Sequence, residues 1–288
     1  MKEIRLSAYG KINLFLDIKG LRKDGFHELA MVMQSIKLHD NIIISPQKSG
    51  IQIGTDSSEI PTNQDNLAYQ AAQLMIEKAD LKQGVNIYIE KNIPVAAGLA
   101  GGSTDAAAVI RGINQLFGLD YDYAMLHSLA AQIGSDVPFC LRGGTAYAAG
   151  RGEELTQLPD LKKHLVLLVK PPVMVSTKKA YELYDKRDIK KDIPVLKLLK
   201  IIKNKKDLKI EDGWANVLEP VSKELVEDIQ MIKDKLLDKG LDFTMMTGSG
   251  PTVFALIKQD KMGLAQNIIK NWDRKNDFIA LTETYKEK

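Results

Sequence analysis

The sequence predicts a two-domain α+β protein. Three observations carry this expectation. Strand and helix signals alternate through the first half, the pattern changes character near residues 150–159, and 288 residues can fill more than one small core. The boundary is placed at 155, giving an N-terminal domain over 1–155 and a C-terminal domain over 156–288. A composition of 44% hydrophobic and 27% charged residues is ordinary for a globular enzyme. The net charge of +3 is too small to argue for a nucleic-acid partner. Cys140 is the only cysteine and can form no internal disulfide, which fits a reducing compartment. His27, His39, His127 and His164 lack metal-ligand spacing, so no structural zinc is expected. The N-terminus has no apolar signal core and no apolar run reaches membrane-spanning length, so the expected location is the cytoplasm.

The elements follow in chain order. Residues 4–6 and 12–18 read as two strands, the second with apolar side chains at alternate positions. The isoleucine runs at 42–44 and 51–53 flank Lys48-Ser49-Gly50 and read as a hairpin. Residues 66–79 carry helical apolar spacing at Leu67, Ala71, Leu74 and Met75, and residues 85–91 alternate as a half-buried strand does. A helix is expected over 104–117, stopped by Gly118, and another over 121–133, stopped by Gly134. A turn at 135–138 leads to strands at 140–141 and 145–149. Past the boundary, an apolar strand at 164–170 ends at Pro171-Pro172. Helices are expected at 177–184, 195–202, 218–239 and 261–272, and strands at 243–246, 253–257 and 278–282. The lysine-rich stretch 186–209 reads as solvated helix and loop rather than a nucleic-acid patch.

The segment Pro94-Val95-Ala96-Ala97-Gly98-Leu99-Ala100-Gly101-Gly102-Ser103-Thr104 is a glycine- and alanine-rich turn running into an alanine-rich helix. Glycine permits positive φ and lets a ligand approach the main chain closely. Ser103, Thr104 and Asp105 are helix-start residues, and a helix start offers unpaired N–H groups and the positive end of its dipole. Loop and helix start together suit a phosphate. The segment lacks the Gly-Lys-Ser/Thr of a Walker A loop and the spacing of a dinucleotide fingerprint; a tight turn before a core helix is its other reading. With no lysine in the loop, main-chain N–H groups must carry most of the phosphate recognition. Asp136, in a turn after a helix end, can project into a cleft as a general base or simply cap the turn.

Lys11-Ile12-Asn13-Leu14, the glycine-rich loop and Thr247-Gly248-Ser249-Gly250-Pro251-Thr252 occur in this order. The trio resembles the GHMP kinases, over nearly the whole chain. Arg22-Lys23-Asp24-Gly25-Phe26-His27 and Gly134-Ser135-Asp136-Val137-Pro138-Phe139 narrow the resemblance to GHMP kinases whose acceptor is a cytidine diphosphate-linked methylerythritol. Phe26 stands where those kinases usually carry tyrosine.

This resemblance implies a two-domain GHMP kinase fold with a left-handed βαβ unit in the N-terminal domain. It implies ATP with Mg2+ and phosphorylation of the acceptor's 2-hydroxyl, a step of non-mevalonate isoprenoid precursor synthesis. Lys11 and Asp136 become the catalytic pair, Asp136 as base and Lys11 as the cation that lowers the pKa of the acceptor hydroxyl. Residues Pro94 to Thr104 wrap the ATP phosphates, and Ser103 and Thr104 are the nearest hydroxyls to the metal, Ser103 being the expected ligand. Asn66 is set beside the adenine, or else caps its helix. On the acceptor side, Phe26 offers a ring to stack on cytosine and His27 a donor and an acceptor for its edge, with Asn13 nearby. Gly248 and Ser249 close over the methylerythritol end, and residues 171–177 form a loop near the base. Homoserine or a mevalonate derivative remains a rival acceptor, although neither carries a cytosine to stack. A non-catalytic nucleotide- or RNA-binding relative is the other rival, opposed by the presence of both Lys11 and Asp136 and by the near-neutral charge. A monomer or homodimer acting on a small molecule, without nucleic acid or membrane, is expected.

Overall fold

The computed structural model describes residues 3–187 and 195–286. The chain forms two compact units, and neither is a single stretch of sequence. The first contains the segment ending at Gly10, Leu38–Val95 and Ala100–Gly143; the second contains Lys11–Lys37, Ala96–Leu99 and the chain from Gly144 onward. Strands β1 (Ile4–Leu21) and β2 (His27–Gln47) contribute residues to both. The two strands expected at 4–6 and 12–18 are thus one strand of 18 residues, because Ser7 to Lys11 keep the extended backbone.

In the first unit, the C-terminal half of β2 pairs antiparallel with β4 (Gly84–Glu90), from Asn41↔Glu90 to Gln47↔Gly84. β4 in turn pairs in parallel with β3 (Ile51–Thr55). The expected hairpin of 42–44 with 51–53 therefore does not form, since β4 lies between those strands. Apolar alternation marks a strand but not its neighbour, and Val85, Ile87 and Ile89 are fully buried in that central position. The connection from β3 to β4 runs through α1 (Leu67–Lys78), which completes a parallel βαβ unit. Helix α1 and helix α2 (Gly101–Phe117) share the core through Ala68, Ala71, Ala72 and Met75 on one and Ala106 to Ile110 on the other. α2 stops at Gly118, whose φ of +61° is open to glycine at little cost.

Helix α3 (Tyr123–Ile133) starts at Asp122, whose Oδ1 accepts from the Met125 amide at 2.8 Å. The strand expected at 140–141 is instead part of a short helix, α4 (Val137–Arg142). Pro138 sits in its first turn, where its missing N–H costs nothing, and Val137, Phe139 and Leu141 are buried. Six residues are too few for helical periodicity to show in the sequence.

In the second unit, the N-terminal half of β2 pairs antiparallel with β5 (Thr145–Ala149), and β5 pairs with β6 (Glu154–Gln157). A separate antiparallel sheet has the order β10-β7-β9-β8, from β7 (Leu165–Lys170), β8 (Thr244–Met246), β9 (Val253–Ile257) and β10 (Phe278–Glu283). Every residue of β9 is buried, as an inner strand between two partners requires. The remaining helices are α5 (Thr177–Asp185), α6 (Val195–Lys203), α7 (Glu219–Leu225), α8 (Asp228–Asp238) and α9 (Met262–Lys270). The single helix expected over 218–239 is two, because Val226 is extended, with φ −145° and ψ 97°. Of the lysine-rich stretch, residues 188–194 lie outside the described residues; α6 buries Leu198, Ile201 and Ile202 and leaves its lysines toward solvent. Among the described residues, no helix is long and apolar enough to cross a membrane.

Candidate active site

Three sequence-distant motifs meet in the second unit. β1 carries Lys11 and Asn13 two residues apart and so on one face, and both are buried, at 3% and 0% exposure. The Lys11 amide donates to Leu99 O at 3.1 Å, which ties β1 to the glycine-rich loop. The Lys11 ammonium donates to Asn13 Oδ1 at 2.8 Å. The Asn13 amide donates to Thr247 Oγ1 at 3.0 Å, and that hydroxyl lies 3.4 Å from Asn13 Oδ1 and 3.3 Å from Gly98 O. Its one proton can serve either acceptor, so Thr247 joins the first motif, the loop and the C-terminal turn in a single network.

Gly98 and Gly248 face one another at this junction. Gly98 has φ +73°, and a Cβ there would fall 2.2 Å from Thr247 O; Gly248 has φ +59°, and a Cβ there would fall 3.0 Å from Gly98 O. Only glycine satisfies both the backbone conformation and the approach. The loop also holds Ala96 at φ +50° and Ala100 at φ +61°, where a side chain costs on the order of 1 kcal/mol or more.

The helix after the loop starts earlier than its sequence suggests. Ala100, left-handed and without a side-chain cap, is the N-cap of α2, so the helix begins at Gly101 rather than 104. The reason is local: Thr104 N already donates to Ala100 O at 2.9 Å, and Thr104 Oγ1 donates back to Gly101 O at 2.8 Å. Thr104 and Asp105 are buried inside the helix, while Ser103 is partly exposed. The absence of a side-chain cap leaves the first-turn amides to other acceptors. Burial pushes the Asp105 carboxyl up to about 8, with Lys91 opposing and Asp40 adding to the rise.

The C-terminal turn is held by residues that the sequence reading did not single out. Asn216 Nδ2 donates to Met246 O at 3.0 Å and Gly248 O at 2.7 Å. Ser222 Oγ donates to Ser249 O at 3.0 Å, and Ser249 and Thr177 share a hydroxyl contact of 2.8 Å. Glu219 accepts from the Met246 amide at 2.9 Å and pairs with Lys233 at 2.5 Å and Lys223 at 2.7 Å. An asparagine three residues before a helix was the available signal for Asn216; nothing local marked the other two.

Burial raises the Glu219 carboxyl, but the two ammonium groups and the Met246 amide outweigh it and hold it below its ordinary 4.5. A depressed carboxyl stabilises the fold above its unfolded value and loses that contribution as pH falls through the folded one. Glu219→Gln is therefore expected to flatten the fall in melting temperature below about pH 4.5, read by thermal unfolding at stepped pH.

A second cluster surrounds the Asp24-Gly25 turn. The Phe26 amide donates to Asp24 Oδ1 at 3.1 Å, and the Phe26 ring is half exposed with the Arg151 guanidinium 5.0 Å over its centroid. His27 Nε2 lies 2.7 Å from Asp185 Oδ1, and its ring packs at 4.7 Å on Tyr181. Tyr181 and Asp185 lie on α5, directly after the loop at 171–177 that the sequence placed near a base. Aromatic faces beside a histidine edge make a surface suited to a planar heterocycle.

In the first unit, Asn66 caps α1: its Oδ1 accepts from Ala68 N at 2.8 Å and its Nδ2 donates to Pro61 O at 2.7 Å. Both halves of its amide are thus used within the fold. Asp136 is the N-cap residue of α4, and its side chain makes no capping bond to the first turn. Pro94 and Val95 group with this unit, and Ala96, Ala97, Gly98 and Leu99 with the second.

Two family models match the chain: the GHMP kinases N terminal domain over residues 66–144 and the GHMP kinases C terminal over 204–275. A 4-diphosphocytidyl-2-C-methyl-D-erythritol kinase of Acetivibrio thermocellus is 44% identical over 94% of this chain and 96% of its own length. A protein of the same name from Lachnospira eligens is 43% identical over 99% of both chains. Among solved structures, a 4-(cytidine 5'-diphospho)-2C-methyl-D-erythritol kinase superposes with a TM-score of 0.80 at 31% identity, over 98% of this chain and 100% of the other. A homoserine kinase from Cytophaga hutchinsonii reaches the same TM-score of 0.80 at 21% identity, over 99% and 96%, and shares the fold.

Proposed function

The chain belongs to the 4-diphosphocytidyl-2-C-methyl-D-erythritol kinases of the GHMP kinase family, and from that membership we propose that it transfers the γ-phosphoryl group of ATP to the 2-hydroxyl of 4-diphosphocytidyl-2-C-methyl-D-erythritol. The products are ADP and the 2-phosphate, in non-mevalonate isoprenoid precursor synthesis. One observation carries this reading: the Thr247 hydroxyl links Asn13, beside Lys11, to Gly98 of the glycine-rich loop.

Phosphoryl transfer needs little covalent help from a protein; it needs phosphates positioned, charge offset and the acceptor proton removed. The uncapped first-turn amides of α2 and the close main-chain approach at Gly98 suit the phosphates. Asp136 takes the proton of the 2-hydroxyl, and Lys11 offsets the charge that grows on that oxygen. Phe26 and His27, with Tyr181, receive the cytosine; Asn13, Gly248 and Ser249 face the sugar alcohol.

Among the described residues, no group of three or more His, Cys, Asp and Glu could hold a metal ion. Mg2+ keeps several waters and is held mainly by substrate phosphates with one or two protein oxygens. Ser103, partly exposed in the first turn of α2, is the residue to supply one. Held there, the ion would offset the negative charge of the phosphate groups. The proposed setting is the cytoplasm, which the lone Cys140 supports.

An ADP-release assay with three acceptors tests the reading. Turnover is expected with 4-diphosphocytidyl-2-C-methyl-D-erythritol and not with homoserine or mevalonate. Preferential turnover of either rival would overturn the assigned acceptor. Failure of all three, with labelled RNA bound in a salt-dependent manner, would return the binding-protein alternative.

A further inference from the structure

The first unit buries one ammonium group between two carboxyl groups, none of them assigned above to a substrate. Lys91, just past the end of β4, pairs with Asp40 on β2 and, at 3.0 Å, with Asp105 on α2. Its side chain is 7% exposed, Asp40 is fully buried and Asp105 is 2% exposed. Asp40 Oδ1 also accepts from the amides of Asn92, at 2.6 Å, and Ile93, at 2.8 Å. The Lys91 amide is itself tied to Asp56 Oδ1 at 2.9 Å. Desolvating an ammonium and two carboxyl groups is costly, and apolar residues of similar volume often serve stability as well or better. Such a cluster is better explained by the geometry it fixes.

What it fixes is the base of the glycine-rich loop. Asn92 and Ile93 lead into the loop, and Asp105 lies in the second turn of the helix that leaves it. Between those ends, Ala96, Gly98 and Ala100 all have positive φ, and the first turn of α2 has no side-chain cap. The direction of the first-turn amides is therefore set by where the two ends are anchored. Gly101 packs straight onto the anchor: a Cβ there would lie 3.3 Å from Lys91 Nζ and 3.2 Å from Ile93 Cγ2.

We infer that Lys91, Asp40 and Asp105 form a clamp across the base of the glycine-rich loop, which aims the first-turn amides of α2 at the phosphates of a nucleoside triphosphate. The inference rests on the reading of this loop as the ATP site. Lys91 is then a positioning residue: its ammonium faces carboxylates, and it acts through the loop. The clamp serves the nucleotide alone. Its loss should weaken nucleotide binding and leave the acceptor's nucleotide handle untouched, whereas a merely structural ion cluster would lower stability without separating the two.

The test uses Lys91→Met and the double variant Lys91→Met/Asp105→Asn. The double variant replaces both the ammonium and its α2 partner, so it leaves no unpaired acid on α2 should the single variant fail to fold. Calorimetry reads the affinity for a non-hydrolysable ATP analogue with Mg2+ and, separately, for cytidine diphosphate; thermal unfolding checks the fold. Affinity for the ATP analogue is expected to fall about tenfold or more, since small misplacements of a positioning group are amplified. Affinity for cytidine diphosphate should stay within about twofold. Unchanged ATP-analogue affinity in a folded double variant overturns the clamp, as does a parallel loss of both affinities. A parent protein that binds no ATP analogue overturns the reading of the loop, and the clamp falls with it.

Discussion

Asp136→Asn is expected to lower kcat about a hundredfold or more while KM for ATP stays within about threefold. Asparagine keeps the size and shape of the side chain but accepts no proton at neutral pH. The Asp136 side chain makes no capping bond to the first turn of α4. Lys11→Met is expected to cost a similar factor, because the oxyanion forming on the acceptor loses its cation and Asn13 Oδ1 loses its donor. The double variant is the sharper result. Two groups acting on one proton transfer are strongly non-additive, so adding Lys11→Met to Asp136→Asn should lower kcat little further. Steady-state kinetics of the four proteins decide it. Two independent losses that multiply would assign the residues to separate steps.

The second large effect lies in Gly98→Ala. The new Cβ would fall 2.2 Å from Thr247 O, a main-chain atom with no side-chain freedom to yield, at a residue whose φ is +73°. Left-handed strain alone costs about 1–3 kcal/mol, and the clash adds to it unless the loop and the C-terminal turn part. Either outcome breaks the Thr247 network, so a lowered melting temperature and a collapse of kcat/KM are expected together. Gly102→Ala is the matched comparison. Its Cβ meets only Leu67 Cδ1, at 3.6 Å, in ordinary contact on a helix that favours alanine over glycine. Thermal unfolding should show that variant at least as stable as the parent.

Much of the fold was legible because long periodic segments announce themselves. The asparagine cap, apolar spacing and basic last turn of α1 place it within a residue of its observed bounds. Shorter or conformationally unusual features were not legible. Six residues could not show α4 as a helix, and a left-handed alanine at 100 hid the true start of α2 behind better cap residues. Strand pairing was lost for a different reason: β3 and β4 are joined through a helix, and alternation says nothing of partners.

The site divides in the same way. Glycine-rich turns carry their chemistry in their own composition, so the loop and the C-terminal turn could be read directly. Lys11 and Asn13 gained meaning only through their resemblance to a family, because a lysine at a strand is ordinarily solvent-facing. Asn216, Glu219, Ser222, Tyr181 and the clamp around Lys91 act through partners far along the chain. Their roles are set by tertiary contacts that no local pattern encodes.

A crystal soaked with a non-hydrolysable ATP analogue and cytidine diphosphate examines both substrate halves at once. The expected density sets the triphosphate on the amides of Gly98 and the first turn of α2, and the cytosine on Phe26 and Tyr181. Lys11 and Asp136 should both reach within about 4 Å of the gap between donor and acceptor, close to the separation that in-line transfer requires. A triphosphate bound elsewhere, or Lys11 and Asp136 turned to different ligands, would contradict it.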